Sequence, residues 1–275
     1  MLKLRLLTAL VLIPLVIWAL FAWPQTAFTL FVGVFILIGA WEWTALCGLK
    51  QLPARLFYLA LVLIAGTFLL VTPSAVLPLI GIAVLWWIWI FVELIIYPEV
   101  HQGFLASRNG RLLSGFVVLL PAWVALPVLR QLPPHGAWLA LFLLLIVWAA
   151  DTGAYFAGHR WGKTKLAARV SPGKTWEGVA GGLVLVIILA LGAGVFVGHY
   201  TGLMLLAWVV LATITGLVSV LGDLFESRMK RVAGVKDSGK IFPGHGGVLD
   251  RVDAFTAAAP LFTLVWLGWF AAGVR

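Results

Sequence analysis

Residues 75–97 read AVLPLIGIAVLWWIWIFVELIIY, twenty-three positions with a single charge, Glu93. As a helix rising 1.5 Å per residue, such a run is about 35 Å long. That is enough to cross the ~30 Å hydrocarbon core of a bilayer. The rest of the chain agrees. Of its 275 residues, 63% are apolar and 11% charged, and the mean hydropathy is +1.09. A soluble domain is roughly 45–50% apolar and about a quarter charged, and it keeps a large surface facing water. The solvent here must be lipid.

The fold class expected is therefore all-α, a polytopic integral membrane protein. Apolar runs of span length occur near 6–22, 26–46, 55–71, 75–97, 112–130, 136–158, 177–198, 202–225 and 254–273. The first is short, and the fifth carries Pro121 and Pro127. Prolines are tolerated in spans where neighbouring helices satisfy the freed backbone groups. The basic residues orient the nine. With the N-terminus cytoplasmic, 17 of the 19 Lys and Arg fall in cytoplasmic segments, and only Arg130 and Arg275 fall outside. Cytoplasmic loops are enriched in this way, and an even number of spans would break the alternation. The C-terminus is expected outside. The chain divides into 1–140, spans one to five, and 141–275, the later spans with their polar loops.

The net charge of +9 records this topology, with attraction to anionic headgroups as a second contribution. It is not read as a nucleic-acid footprint. The N-terminal run, MLKLRLLTALVLIPLVIWAL, is expected to be a retained span, since no small-residue cleavage site follows it. Cys47, the single cysteine, reads as structural. Trp18, Trp23, Trp41, Trp43, Trp138 and Trp161 sit near span ends, where an amphipathic ring suits the interface. His135 and His199 read as surface residues.

The acids are asymmetric: seven of ten lie from Asp151 onward. An ionisable group inside or at the end of a span is costly and points to function. Three polar clusters share one membrane face. The first is ADTGAY at 150–155, and the second is SPGKTWEG at 171–178. The third runs from GDLFESRMKR at 222–231 through KDSGKIFPGHGGVLDRVD at 236–253. Asp223 and Glu226 are three apart on a helix and share a face, and Asp250 and Asp253 repeat the spacing.

This mixture suits transfer of a phosphorus group. Mg²⁺ binds through one or two carboxylates plus phosphate oxygens. Lys and Arg neutralise the remaining phosphate charge, and glycines before a helix start let backbone amides approach an anion. Each piece also has a plainer reading. Asp223 could pair with Lys230 or Arg231, Asp237 could be a solvated loop charge, and His245 could bond only a backbone carbonyl. Glu42 and Glu93 read as paired structural acids, while Glu177 and Glu226 have no assigned role. GKT occurs at 162–164 and 173–175, but a Walker A loop needs glycine where Ala157 and Ala168 stand.

Residues 227–253, SRMKRVAGVKDSGKIFPGHGGVLDRVD, resemble the signature of the phosphatidate cytidylyltransferase, or CDP-diacylglycerol synthase, family without departure. DTGAY, SPGKTWEG, GDLFES and the earlier WEW at 41–43 are similar to family segments too. The resemblance implies that CTP and phosphatidate react to give CDP-diacylglycerol and pyrophosphate at the cytoplasmic face. It implies Mg²⁺ at Asp223 and Asp250, with Asp151 a further candidate. A second metal ion would serve the need to stabilise both attacking and leaving oxygens. Lys230, Arg231, Lys236 and Arg251 are the phosphate-clamp candidates, and Asp237, His245 and Asp253 lie around them. Ser171, Lys174, Gly246 and Gly247 are candidates for the nucleotide. The partners expected are CTP, phosphatidate and the bilayer, in the cell (inner) membrane, with no nucleic acid; a homodimer is compatible with the sequence. Two alternatives stand beside this reading. One is a CTP-dependent polyprenol or phytol kinase of the same superfamily, and the other a cation transporter.

Overall fold

The computed structural model describes residues 2–133, 135–241 and 246–270. It is an all-α polytopic bundle. Among the described residues the helices are α1 (Leu2–Ala22), α2 (Gln25–Leu46), α3 (Leu52–Val71), α4 (Pro73–Ile96), α5 (Arg108–Gln131), α6 (Gly136–Trp161), α7 (Trp176–Phe196), α8 (Gly202–Val232) and α9 (Leu249–Val265). A wider turn, Trp266–Phe270, continues α9. Among the described residues eight helices, α2 to α8 and α9 with its continuation to Trp269, are long and apolar enough to cross a membrane, and α1 contributes the shorter apolar stretch Leu10–Ala22. The departure from pure helix is a small antiparallel hairpin, β1 (Lys165–Ala167) with β2 (Ser171–Thr175). It folds where the sequence suggests only a loop.

Local chemistry sets the boundaries. Proline stands at the first positions of α3 and α4, where its missing N–H is not needed. Ser107 and Thr175 cap α5 and α7 by accepting from Gly110 and Gly178, satisfying amides that no helix can. Gly48 and Gly234 adopt positive φ just past α2 and α8, the left-handed stop that glycine reaches at little cost.

The span with two internal prolines forms the centre of the bundle. α5 is the most buried of the candidate spans and packs against α2, α3, α4, α6 and α9. Those neighbours are why Pro121 and Pro127 are tolerated. Its Trp123 lies in a slot made by Gly33 of α2 and Gly66 of α3, where any added Cβ would overlap the indole. Backbone carbonyls of α5 take further bonds, at 3.0 Å from Trp43 Nε1 to Arg111 O and from Tyr58 Oη to Leu112 O. Arg130, at its far end, donates to the carbonyls of Leu20 and Trp23 and to Gln25 Oε1, which fixes the α1–α2 turn.

The tryptophans expected at span ends differ in exposure. Trp18, Trp138 and Trp161 are exposed, as interface rings should be, and Trp23 and Trp41 are half-buried. Trp43 is neither: it is buried and stacks on Phe225 of α8. Cys47 is free and buried, and burial pushes its thiol up to about 12, consistent with a structural role.

Replacing Gly66 with Val should lower the melting temperature in detergent, because overpacking costs about 1–3 kcal/mol. Ala at Trp123 in the same background should recover part of the loss. A Gly66→Val protein as stable as the parent would show that the slot is not tight.

Candidate active site

α8 is 31 residues long, about 46 Å, and so outruns a ~30 Å hydrocarbon core. Its polar last turns therefore continue the same helix instead of starting a loop. Asp223, Glu226, Ser227 and Lys230 share one face by their three- and four-residue spacing. Lys230 Nζ donates to Glu226 Oε2 and to Asp250 Oδ1, both at 2.6 Å, which joins α8 to the first turn of α9. Both carboxylates and the ammonium are largely buried. A buried ion pair of this kind needs further hydrogen bonds to offset desolvation.

Asp250 has them. Its Oδ2 accepts from Ser238 N and Ser238 Oγ, both at 2.9 Å, and from Gly247 N at 2.8 Å. Ser238 and Gly247, from the loop before α9, thus meet at one carboxylate.

A second carboxylate, absent from the sequence-based candidates, completes the clamp. Glu42 of α2 is 3% exposed. It accepts from Val248 N at 3.1 Å, Leu249 N at 2.8 Å and Ser238 Oγ at 3.3 Å. Expected to be a paired acid, Glu42 instead receives the orphan amides at the start of α9, where negative charge is favoured. Gly239 and Gly247 press against its carboxylate so closely that neither position has room for a Cβ. The signal in the sequence was WEW, an acid inside an apolar run, but its partners lie 196 to 207 residues away. Glu93 behaves similarly, accepting from Leu105 N at 3.3 Å. Buried Arg228 donates to the carbonyls of Glu99 and Gln102, holding the α4–α5 connection against α8.

The hairpin supplies the other side. Lys174 of β2 forms an ion pair with Asp223 of α8, so the partner of Asp223 is neither Lys230 nor Arg231. Ser227 Oγ also donates to Asp223, at 3.3 Å. Glu177 receives Thr164 N at 3.1 Å, closing the hairpin's base. Arg231 Nε donates to Val170 O at 3.3 Å, and Arg169 pairs with Glu99. Asp151 of α6 lies within electrostatic reach of Asp223, Lys174 and Arg251, and Asp253 within reach of Asp223 and Glu226.

Of the sequence-predicted residues, Asp151, Lys174, Asp223, Lys230, Asp250, Arg251 and Asp253 thus come together. Ser171 and Arg231 stand beside them, at the start of β2 and by the hairpin turn. Lys236 and Asp237 are exposed on the loop above. Gly246 takes positive φ, and the N–H of Gly247 is directed at Asp250. His245 lies outside the described residues.

Within this cluster five carboxylates (Asp151, Asp223, Glu226, Asp250 and Asp253) meet two lysines and one arginine, so the formal charge favours cations. Among the described residues no three acids converge in a ready-made metal cage.

A model of the cytidylyltransferase family matches residues 3–267. The chain is 44% identical over 271 residues to a phosphatidate cytidylyltransferase of Pseudomonas aeruginosa, covering 98% of this chain and 99% of that one. It is 41% identical to one of Haemophilus influenzae, covering 96% and 98%, and 37% identical to one of Brucella suis, covering 96% and 92%.

Glu42→Gln should expose the start of α9. A hydrogen bond to a charged group is worth about 1.5–3 kcal/mol, so the amides of Val248 and Leu249 should exchange with deuterium roughly 10- to 100-fold faster. Unchanged exchange at these two amides would remove Glu42 from the clamp.

Proposed function

The chain belongs to the cytidylyltransferase family, and from that membership we propose that it transfers the CMP moiety of CTP to phosphatidate, giving CDP-diacylglycerol and pyrophosphate. The observation that carries this is the meeting of Lys174, Lys230 and Arg251 with the carboxylates of α6, α8 and α9 at one end of a lipid-embedded bundle. A soluble anion and a lipid headgroup can both reach such an end.

A phosphate oxygen of phosphatidate attacks the α-phosphorus of CTP. The new bond joins that oxygen to the α-phosphorus, and the bond to the β-phosphate oxygen breaks, releasing pyrophosphate. The nucleophile is already an anion, so the chain's task is to position two anions and neutralise them. Lys174, Lys230 and Arg251 do this from inside the cluster. Lys236 and Arg231 stand at its margin, where a leaving pyrophosphate would depart.

The cluster fits a divalent cation. Asp223 and Asp250, the proposed Mg²⁺ ligands, are each met by a lysine ammonium, a positive charge where a cation would sit. The excess of carboxylates over cations leaves two negative charges for such an ion. Needing one or two protein carboxylates and taking its other ligands from water and phosphate, Mg²⁺ does not require a three-acid cage. Bound there, with Asp151 nearby and a second ion in the same scheme, it would supply charge neutralisation of the phosphate oxygens. Asp253 and Asp237 would act around these ligands, and Ser171, Gly246 and Gly247 along the nucleotide.

We place the N-terminus and the site on the cytoplasmic face, α1 as a ninth span, and the protein in the cell's inner membrane, with a homodimer as the proposed assembly. The charge split supports the orientation. Reporter fusions should find 98–111, 159–176 and 226–253 inside and Arg275 outside; a cytoplasmic C-terminus would remove one span.

Purified protein given phosphatidate and Mg²⁺ should pass label from [α-³²P]CTP into lipid and release γ-label as pyrophosphate. Lipid carrying γ-label alone would select a kinase. No label in lipid, with polyprenol also tried, would favour a transporter. Asp223→Asn and Asp250→Asn should each lose nearly all turnover, because a neutral amide is a poor Mg²⁺ ligand. If either retained about a third of the parental rate at saturating Mg²⁺, that residue would not hold the ion.

A further inference from the structure

An ionised carboxylate offers about four lone-pair sites to donors, and four donors meet Asp250. Three of them, Ser238 N, Ser238 Oγ and Gly247 N, reach Oδ2 at 2.9, 2.9 and 2.8 Å. Two are backbone amides and the third is the hydroxyl of buried Ser238, so all three are tied to the chain before α9.

The fourth is different. Lys230 Nζ reaches Oδ1 at 2.6 Å on a flexible side chain, and it holds a second carboxylate, Glu226, one turn back on its own helix. Glu226 is 3% exposed, and its Oε1 is buried with no hydrogen-bond partner among the described residues. An ammonium that let go of Asp250 would keep one ion pair and find a second acceptor on the same group. Lysine carries three donors, so it would have one to spare. Asp223 is more open: its side chain is 29% exposed against 7% for Asp250, and Ser227 Oγ meets it at a longer 3.3 Å. A cation can add to Asp223, but at Asp250 a donor has to leave first, and Lys230 is the one free to go.

We propose that Lys230 holds a cation's place on Asp250 and exchanges with it. A divalent cation takes Oδ1, and the displaced ammonium turns to Glu226 and to a phosphate oxygen of the nucleotide. The proposal rests on the transfer reaction above and adds a regulation to that site. Cation and nucleotide then favour each other's binding, because the lysine released by one becomes a donor to the other, and such linkage is reciprocal. With neither bound, the buried acid still has a counter-charge, which spares the cost of leaving it alone.

Mn²⁺ is the probe, its binding to purified protein without nucleotide followed by the electron paramagnetic resonance of the free ion. Lys230→Met should bind Mn²⁺ roughly tenfold tighter than wild type, a modest share of what a like charge a few ångströms away costs. Equal or weaker binding would overturn the exchange. Glu226→Gln should bind Mn²⁺ more weakly, because the lysine has lost the charge it retreats to. In the Lys230→Met background the same change should have little effect; charges acting only through space would add, and additive effects would overturn the exchange as well.

Should Lys230→Met not fold, the wild-type protein decides. Brief acetylation with acetic anhydride, read by mass spectrometry, should modify Lys230 several-fold faster once Mn²⁺ is added, and CTP should reverse the gain. Lys165, exposed on the hairpin, should keep its rate throughout. An unchanged rate at Lys230 would sink the exchange. None of these readouts needs turnover. Exchange in a protein that passes no label to lipid would overturn the reaction alone, and label transfer without exchange would overturn the exchange alone.

Discussion

Four hydrogen bonds converge on the carboxylate of Asp250, and the polar end of the molecule is arranged around them. One, from Lys230, ties α9 to α8; three, from Ser238 and Gly247, bring those two residues to the helix start. Glu42 adds the third body by receiving the next two amides of α9. In a low-dielectric setting such contacts are stronger than in water, and each unmade one is costlier. Ser238 and Gly247 are therefore held with little freedom, and the carboxylates of Asp250 and Glu42 are held with them.

The same contacts explain how a bundle made largely of Leu, Val and Ala keeps five acids in one place. Both lysines serve more than one acid: Lys230 bridges Glu226 and Asp250, and Lys174 pairs with Asp223 and lies near Asp151, as Arg251 does. Neutralisation is incomplete by formal charge, so the cluster favours positive charge.

Most of the architecture could be read from the sequence, because span length and hydropathy are local properties. Within the described residues each of the nine apolar runs lies on a helix, and Asp223, Glu226, Asp250 and Asp253 gather where their spacing suggested. Three features were hidden, each decided by distant residues. The role of Glu42 depends on amides at 248 and 249. The burial of Trp43 depends on Phe225. The pairing of Lys174 with Asp223 depends on the hairpin at 165–175, which carries Lys174 to α8. The end of α8 at Val232, instead of near 225, was also missed. Hydropathy falls where the polar face begins, but the backbone hydrogen bonding that defines a helix continues through it.

Glu42 also ties the order of synthesis to the completeness of the fold. It leaves the ribosome with α2, long before the amides that receive it exist. Until α9 arrives, a carboxylate in the second helix has no partner from that helix start, a condition that lipid surroundings penalise. A chain cut short before residue 248 would keep that defect permanently, so a helix made late acts as the closing latch on an early one.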